Sequence, residues 1–133
     1  MPGISCKFPL SFDDIDGAYR LNKELVEVVR QNLKMLLLTN PGERCMDTDF
    51  GIGIERFLFE NDTPALRESM STRIHNQVNK YMPFITIQDV FQGPSDDLRT
   101  IGPNSFHISL HYHIEPIARD DILNVSLPKT DKF

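Results

Sequence analysis

From Phe106 to Glu115 every second residue is apolar. Phe106, Ile108, Leu110, Tyr112 and Ile114 fall on one side, and His107, Ser109, His111, His113 and Glu115 on the other. A period of two is the signature of a strand with one face buried and one face wet. The preceding stretch follows a different period. Leu25, Val28, Val29, Leu33, Leu36 and Leu37 recur at helical spacing, and Asn40-Pro41-Gly42 ends that helix at Thr39. Proline disfavours helical geometry in the residue before it, and glycine turns the chain. Asn22 is the expected cap of this helix, with Glu24 in its first turn near the positive end of the dipole. A second stripe of Leu66, Met70, Ile74, Val78 and Tyr81 begins at Thr63-Pro64, a cap followed by a first-turn proline, and ends at Pro83.

Helices first and antiparallel strands afterwards predict an α+β domain. Its expected parts are two long helices and a short helix, packed on a small antiparallel sheet with a C-terminal edge strand. Phe84 to Phe91 is rich in strand formers, Gly93 to Asn104 reads as a long loop, and Ile122 to Leu127 is a last strand stopped by Pro128. Residues 1–20 carry Pro2, Gly3, Pro9 and the acidic run Asp13-Asp14-Ile15-Asp16, and read as an extended N-terminal arm. Residues 21–133 read as one domain.

At 133 residues with 40% hydrophobic content, the chain can bury one real core. A formal charge of −5 argues against a nucleic-acid partner, which needs a concentrated basic face. No apolar run approaches the ~20 residues that cross a bilayer, and the N-terminus lacks the apolar stretch of a signal peptide. The expectation is a soluble protein made in the cytoplasm, with no membrane partner. Cys6 and Cys45 are far apart and outside any Cys-x-x-Cys spacing, so two free thiols are expected.

Between Leu36 and Glu60 the chain packs an apolar helix end, a Pro-Gly turn, the acid-base pair Glu43-Arg44 and the run Asp49-Phe50-Gly51-Ile52-Gly53. Phe57-Leu58-Phe59-Glu60 follows on a short helix expected over Ile54 to Phe59, and Glu43 to Met46 reads as a short strand. Glycine tolerates positive φ and close backbone approach, so such turns serve contacts with a ligand or partner. Glu43, Asp47, Asp49, Glu55 and Glu60 crowd this region, and a carboxylate pair is what glycoside hydrolysis requires. An ion pair between Glu43 and Arg44 and a capping role for Asp49 account for them more simply. His107, His111 and His113 share a strand face with Glu115, but no second ligand cluster completes a metal shell, and His75 sits apart on a helix. No serine lies in Gly-x-Ser-x-Gly, neither cysteine has a paired histidine, and Gly51-Ile52-Gly53 lacks the third glycine of a nucleotide fingerprint. Neither catalysis nor a cofactor or metal is expected. Interface chemistry remains. Phe50, Phe57 and Phe59 suit anchoring of a partner, although Phe57 fits the core equally well. The strand Ile122, Leu123, Asn124, Val125, Ser126 and Leu127 is either a protected edge or an element that pairs with another chain.

The run Leu36-Leu37-Leu38-Thr39-Asn40-Pro41-Gly42-Glu43-Arg44, with Asp49-Phe50-Gly51-Ile52-Gly53 and Phe57-Leu58-Phe59-Glu60, resembles the small baseplate wedge proteins of contractile phage tails. Relatives of that family occur in type VI secretion, R-type bacteriocins and phage-like injection particles. Tyr19, Leu21 and Asn22 resemble the phage branch. The resemblance implies a structural component present in six copies around a tail axis and assembled into a virion baseplate or phage-like particle. It would be bound to the helical bundle of larger wedge proteins, adjoin tube or hub proteins, and start the sheath by strand pairing with sheath subunits. On that reading Pro41, Gly42, Glu43, Arg44, Asp49, Phe50, Gly51, Gly53, Phe59 and Glu60 face the wedge, and Ile122 to Leu127 pairs with sheath arms. Many relatives carry Glu-Pro-Arg after the second long helix. This chain has Met82-Pro83-Phe84, so an ion-pair role there does not carry over. The rival expectation is a lysozyme-like, peptidoglycan-cleaving hydrolase using the acidic residues near the glycine turn.

Overall fold

The computed structural model describes residues 3–15, 17–57, 60, 61, 63–93 and 105–128. In chain order the elements are β1 (Ser5–Cys6), β2 (Leu21–Asn22), α1 (Leu25–Leu38), α2 (Ile54–Phe57), α3 (Pro64–Tyr81), β3 (Ile85–Gly93), β4 (Ser105–Ile114) and β5 (Arg119–Pro128). The fold is α+β, with helices preceding an antiparallel meander. The chain divides into two compact units, Met1–Met35 and Leu36–Phe133, with α1 running through the division.

In the first unit β1 pairs antiparallel with β2, Ser5 opposite Asn22 and Cys6 opposite Leu21. Asn22 is therefore a strand residue and not the cap of α1. Its side-chain amide donates to Gln31 Oε1 at 2.9 Å and to Ser5 Oγ at 3.2 Å, and it is only 2% exposed. A buried amide must find partners, and here the strand partner and α1 supply them. The helix begins at Leu25, with Glu24 C=O accepting from Val28 N–H.

The second unit is organised on β4. It pairs with β3 from Ile85↔Ile114 to Gly93↔His107 and with β5 from Ser105↔Pro128 to Ile114↔Arg119. The order β3-β4-β5 makes β5 an edge of the described sheet. A bulge between Ile87 and Asp89 makes Gln88 the extra residue of β3. The alternation of β4 holds: Ile108, Leu110, Tyr112 and Ile114 are fully buried, and His107, Ser109, His111 and His113 are partly exposed. Leu123 and Val125 of β5 and Ile85 of β3 join the buried set. β4 turns into β5 through a single turn of 3-10 helix, Glu115–Ile117, closed by Ala118 in the left-handed region at φ 48°.

Helix α3 packs on β3. Its stripe is buried at Met70, Ile74 and Val78 and half-buried at Leu66 and Tyr81, and Thr63 caps it by accepting from Leu66 N–H at 3.2 Å. Met82 is the C-cap and is buried, Pro83 is exposed, and Phe84 C=O accepts from Glu115 N–H. The loop expected over Gly93 to Asn104 falls, from residue 94 on, outside the described residues, as do Leu58, Phe59 and the side chains of Ser126 and Leu127.

Candidate interaction surface

Helix α1 ends at Leu38, and residues 39–53 turn back on its last residues. Ile52 N–H donates to Leu36 C=O at 3.0 Å, which ties the glycine run to the helix end. Gly51 has φ 112°, and a Cβ there would lie 2.2 Å from Thr39 C=O. Gly53 has φ 68°, and its Cβ would meet Asn40 Oδ1 and Pro41 Cδ at 2.9 Å each. Both glycines are buried: Gly51 lets its backbone lie directly on the backbone of Thr39, and Gly53 leaves room for the Asn40 and Pro41 side chains. Their close approach is internal. Gly42, at φ 94° with open space around it, is a surface turn instead.

Residues 40–48 form a closed loop, with Gly42 N–H donating to Thr48 C=O at 2.9 Å and Glu43 N–H to Asn40 C=O at 3.2 Å. Turns and bends run from Pro41 to Met46 where a short strand was expected. The pairing of Glu43 also differs from expectation. Its carboxylate accepts from Asn40 N–H and Asn40 Nδ2 at 3.2 and 3.1 Å, and Arg44 lies over the Phe50 ring at 4.2 Å. A planar guanidinium stacks well on an aromatic face, and the adjacent asparagine offers the carboxylate two donors in reach. Nor does Asp49 cap a helix, because its carboxylate pairs with Lys80 at 2.7 Å.

One face of α3 grips this loop. Gln77, 4% exposed, accepts from Gly51 N–H at 3.2 Å and donates to Asp49 C=O at 3.1 Å. Arg73 donates to Gly51 C=O at 2.9 Å. Tyr81 donates to Asp47 at 2.7 Å and meets the Phe50 ring edge-on at 4.8 Å. Residues 73, 77, 80 and 81 share one helical face, so a single side of α3 reads the loop backbone and its acids. Hydrophobic periodicity could not reveal this grip, because polar residues on a helix are read by default as solvated. The one available signal was the position of Gln77, beside Val78 and three residues after Ile74 on the apolar stripe.

Electrostatics follow from these pairs. The Lys80 hydrogen bond and charge hold the Asp49 carboxyl below its ordinary value, and Asp49 in turn raises the Lys80 ammonium. The Tyr81 phenol is raised, first by partial burial and then by its bond to Asp47.

Of the residues expected to face the wedge, Gly42, Glu43, Arg44, Asp49 and Glu60 are exposed and Pro41 and Phe50 half-buried. Gly51 and Gly53 lie beneath them, and Phe59 is outside the described residues. Pro41 to Gly53 thus form one rigid, charged surface around an aromatic. On β5, Ile122 and Asn124 are exposed, and Leu123 and Val125 are in the core.

A general acid needs a raised carboxyl. Asp49 moves the other way, and Asp47 and Glu43 are occupied by Tyr81 and Asn40. An open groove of about 510 Å³ along α3 has a single carboxylate, Glu68, in its lining. The outer face of the sheet holds His113 against Asp120 at 2.5 Å and His107 against Ser109 at 3.0 Å. Among the described residues no three His, Cys, Asp or Glu side chains gather as a metal site. Cys6 and Cys45 are free and exposed, and no described helix is long and apolar enough to cross a membrane.

Comparison with known proteins agrees with this picture. No curated protein matches the chain significantly. Among solved structures, a chain of the anti-feeding prophage baseplate, determined by cryo-electron microscopy with sixfold symmetrisation, is 28% identical. It superposes with a TM-score of 0.66, covering 81% of this chain and 82% of that one. A protein of Geobacter sulfurreducens provisionally named a tail lysozyme shares the fold at 18% identity and TM-score 0.68, over 86% of this chain and 99% of that one. A chain of the postcontracted pyocin R2 baseplate shares it at 15% identity and TM-score 0.51, over 91% and 99%. The model of the family described as baseplate wedge protein gp25 matches residues 23–116. This chain therefore belongs to the gp25 family of baseplate wedge proteins, structural components of contractile-tail baseplates.

Proposed function

We propose that this wedge component links the inner wedge to the first sheath ring, using two separate surfaces. The loop Pro41 to Gly53, with Glu60, faces the larger wedge proteins. Arg44 stacked on Phe50 and the pairs Glu43–Asn40 and Asp49–Lys80 give it a fixed pattern of charge and aromatic area. Fixed side chains lose little freedom on docking, which favours affinity. The strand β5 pairs with an arm of a sheath subunit. The observation that carries this reading is the position of β5 at the edge of a three-stranded antiparallel sheet, because an edge strand offers unpaired backbone groups to an incoming strand. Each backbone hydrogen bond is worth about 0.5–1.5 kcal/mol net, so several per contact are needed. Six copies in a symmetric baseplate would multiply modest contacts by avidity. Larger wedge proteins, sheath subunits and tube or hub proteins are the proposed neighbours, met during assembly after synthesis in the producing cell's cytoplasm.

The test is assembly. Truncation after Asp121 is expected to leave baseplates that form without starting sheaths. Because Leu123 and Val125 are core residues, the companion Ile122→Lys/Asn124→Lys changes only exposed positions and keeps the fold. Normal sheath length from both variants, counted in micrographs, overturns strand pairing. Loss of wedge incorporation in Arg44→Ala/Phe50→Ala, with an unchanged melting curve, supports the loop assignment.

A further inference from the structure

Between Ile4 and Tyr19 the chain holds large apolar side chains out of any core. Ile4, Phe8, Leu10 and Tyr19 are about half exposed, Phe12 is 84% exposed and Ile15 is 88% exposed. Ile4, Cys6, Phe8, Leu10 and Phe12 occupy every second position, an alternation hidden among the prolines and acids of this segment. Alternation of this kind normally buries one side. Here the six large side chains leave on the order of 600 Å² uncovered, at about 150–250 Å² each. Contiguous apolar patches of a few hundred Å² on soluble monomers are commonly binding sites, and Phe12 and Tyr19, stacked on each other, are joined in this way.

The backbone beneath them is tied down. Ile4 N–H donates to Asn22 C=O at 2.8 Å, Lys7 N–H to Arg20 C=O at 2.9 Å, and Arg20 N–H to Ser11 C=O at 3.0 Å. Gln31 works as a clamp from α1: its Oε1 accepts from Phe8 N–H and from Asn22 Nδ2, and its Nε2 donates to Cys6 C=O at 3.0 Å. Phe12 stacks on Tyr19 at 5.5 Å. Beyond Phe12 a turn bridged by Asp13 and Gly17, with Ile15 N–H bonded to Asp13 Oδ1 at 3.0 Å, carries Ile15 between acidic neighbours. Ordering a segment costs conformational entropy. A segment held this firmly presents its uncovered apolar side chains in a fixed arrangement.

We propose that residues 4–19 form a preformed docking arm, which inserts into a groove on a neighbouring baseplate protein. The groove has an apolar floor for Phe8, Leu10, Phe12 and Ile15, and lysine or arginine beside the turn that bears Asp13 and Asp14. Charge decides between this occupant and a second copy of the same chain. With 19 acidic against 14 basic residues, a copy would set an acidic turn against a surface of the same net sign, whereas a basic-rimmed groove attracts it. The arm also precedes residue 23, where the match to the family begins. The proposal rests on residues of the first unit alone and is tested without the loop Pro41 to Gly53.

Photo-crosslinking in assembled particles tests the arm. Phe12 or Ile15 is exchanged for benzoylphenylalanine in a strain making the complete tail, and adducts are mapped by mass spectrometry. Both positions are expected to mark one neighbouring chain at an apolar site flanked by lysine or arginine. Phe12→Ser/Ile15→Ser should lower incorporation of this chain into baseplates at least tenfold, with the melting curve of the purified protein unchanged. Asp13→Lys/Asp14→Lys should reduce it likewise, and a reciprocal charge reversal at the mapped basic residues should restore it. Adducts to another copy of this chain, adducts scattered over several proteins, none at all, or normal incorporation of the serine variant would each overturn the proposal.

Discussion

At the residue scale the glycines and the buried glutamine carry the sharpest consequences. Gly51→Ala forces a Cβ onto Thr39 C=O and strains a backbone at φ 112°. It should destabilise the protein by about 2–4 kcal/mol, whereas Gly42→Ala, strained but unobstructed, should cost about 1–2. Urea midpoints of the two variants check the order. Gln77→Leu would leave the buried Gly51 N–H unpaired and remove the donor to Asp49 C=O, at about 1–3 kcal/mol. Hydrogen exchange at the Gly51 amide should accelerate with it. The Asp49–Lys80 pair is exposed and adds little at neutral pH, but its pH signature is defined. The Asp49 carboxyl is depressed below 3.8, so its contribution is complete above that value and fades as pH falls through the lowered one. The Lys80 ammonium is raised above 10.5, so its share is present below that value and is lost as pH climbs through the raised one. Asp49→Asn should therefore flatten the dependence of stability on pH below about 4, read by denaturation at pH 2 to 5.

At the element scale α3 does two jobs with two faces. Met70, Ile74 and Val78 are buried beside the sheet, and Arg73, Gln77, Lys80 and Tyr81 hold the loop. Weakening the helix start should lower the stability of the unit as a whole. Thr63→Ala removes the acceptor for Leu66 N–H, and should cost about 1 kcal/mol in global stability without changing the loop's fold, measured by thermal melting. The strand alternation in β4, the proline-capped start of α3 and the stop after α1 were legible from periodicity and turn chemistry. Each depends on contacts within a few residues or on one buried face. The helix cap expected at Asn22 and the strand expected at Glu43 to Met46 give way to tertiary and loop contacts. Asparagine caps helices and closes strand pairs with the same side chain, and the arrival of Ser5 and Gln31 decides which. Glu43 to Met46 finds no partner strand among the described residues, and the bonds of Gly42 to Thr48 and of Glu43 to Asn40 close it as a loop.

At the scale of the whole molecule the net charge of −5 sets how the chain meets others. Assembly with basic-rimmed neighbours should weaken as salt screens the attraction. Raising ionic strength from about 0.05 to 0.5 M shortens the Debye length to a few ångströms, and should slow incorporation into baseplates several-fold, followed by sedimentation of assembly mixtures. The proposed wedge-facing charge and the proposed docking arm would both contribute, and Asp13→Lys/Asp14→Lys would remove only the arm's share.

The sequence by itself determined the class of fold, because periods of 3.6 and two say which faces are buried without reference to what covers them. It also determined the family, since a run from Leu36 to Glu60 of unusual turns and charges is specific at the level of residue identity. The tertiary structure decided what those residues do. Gly51 and Gly53 lie against Thr39 to Pro41, just beyond the end of α1, Asp49 is answered by Lys80 thirty-one positions away, and Arg44 leaves Glu43 for an aromatic ring. Pairings at such separations depend on which elements arrive side by side, and neither propensity nor spacing encodes that arrival.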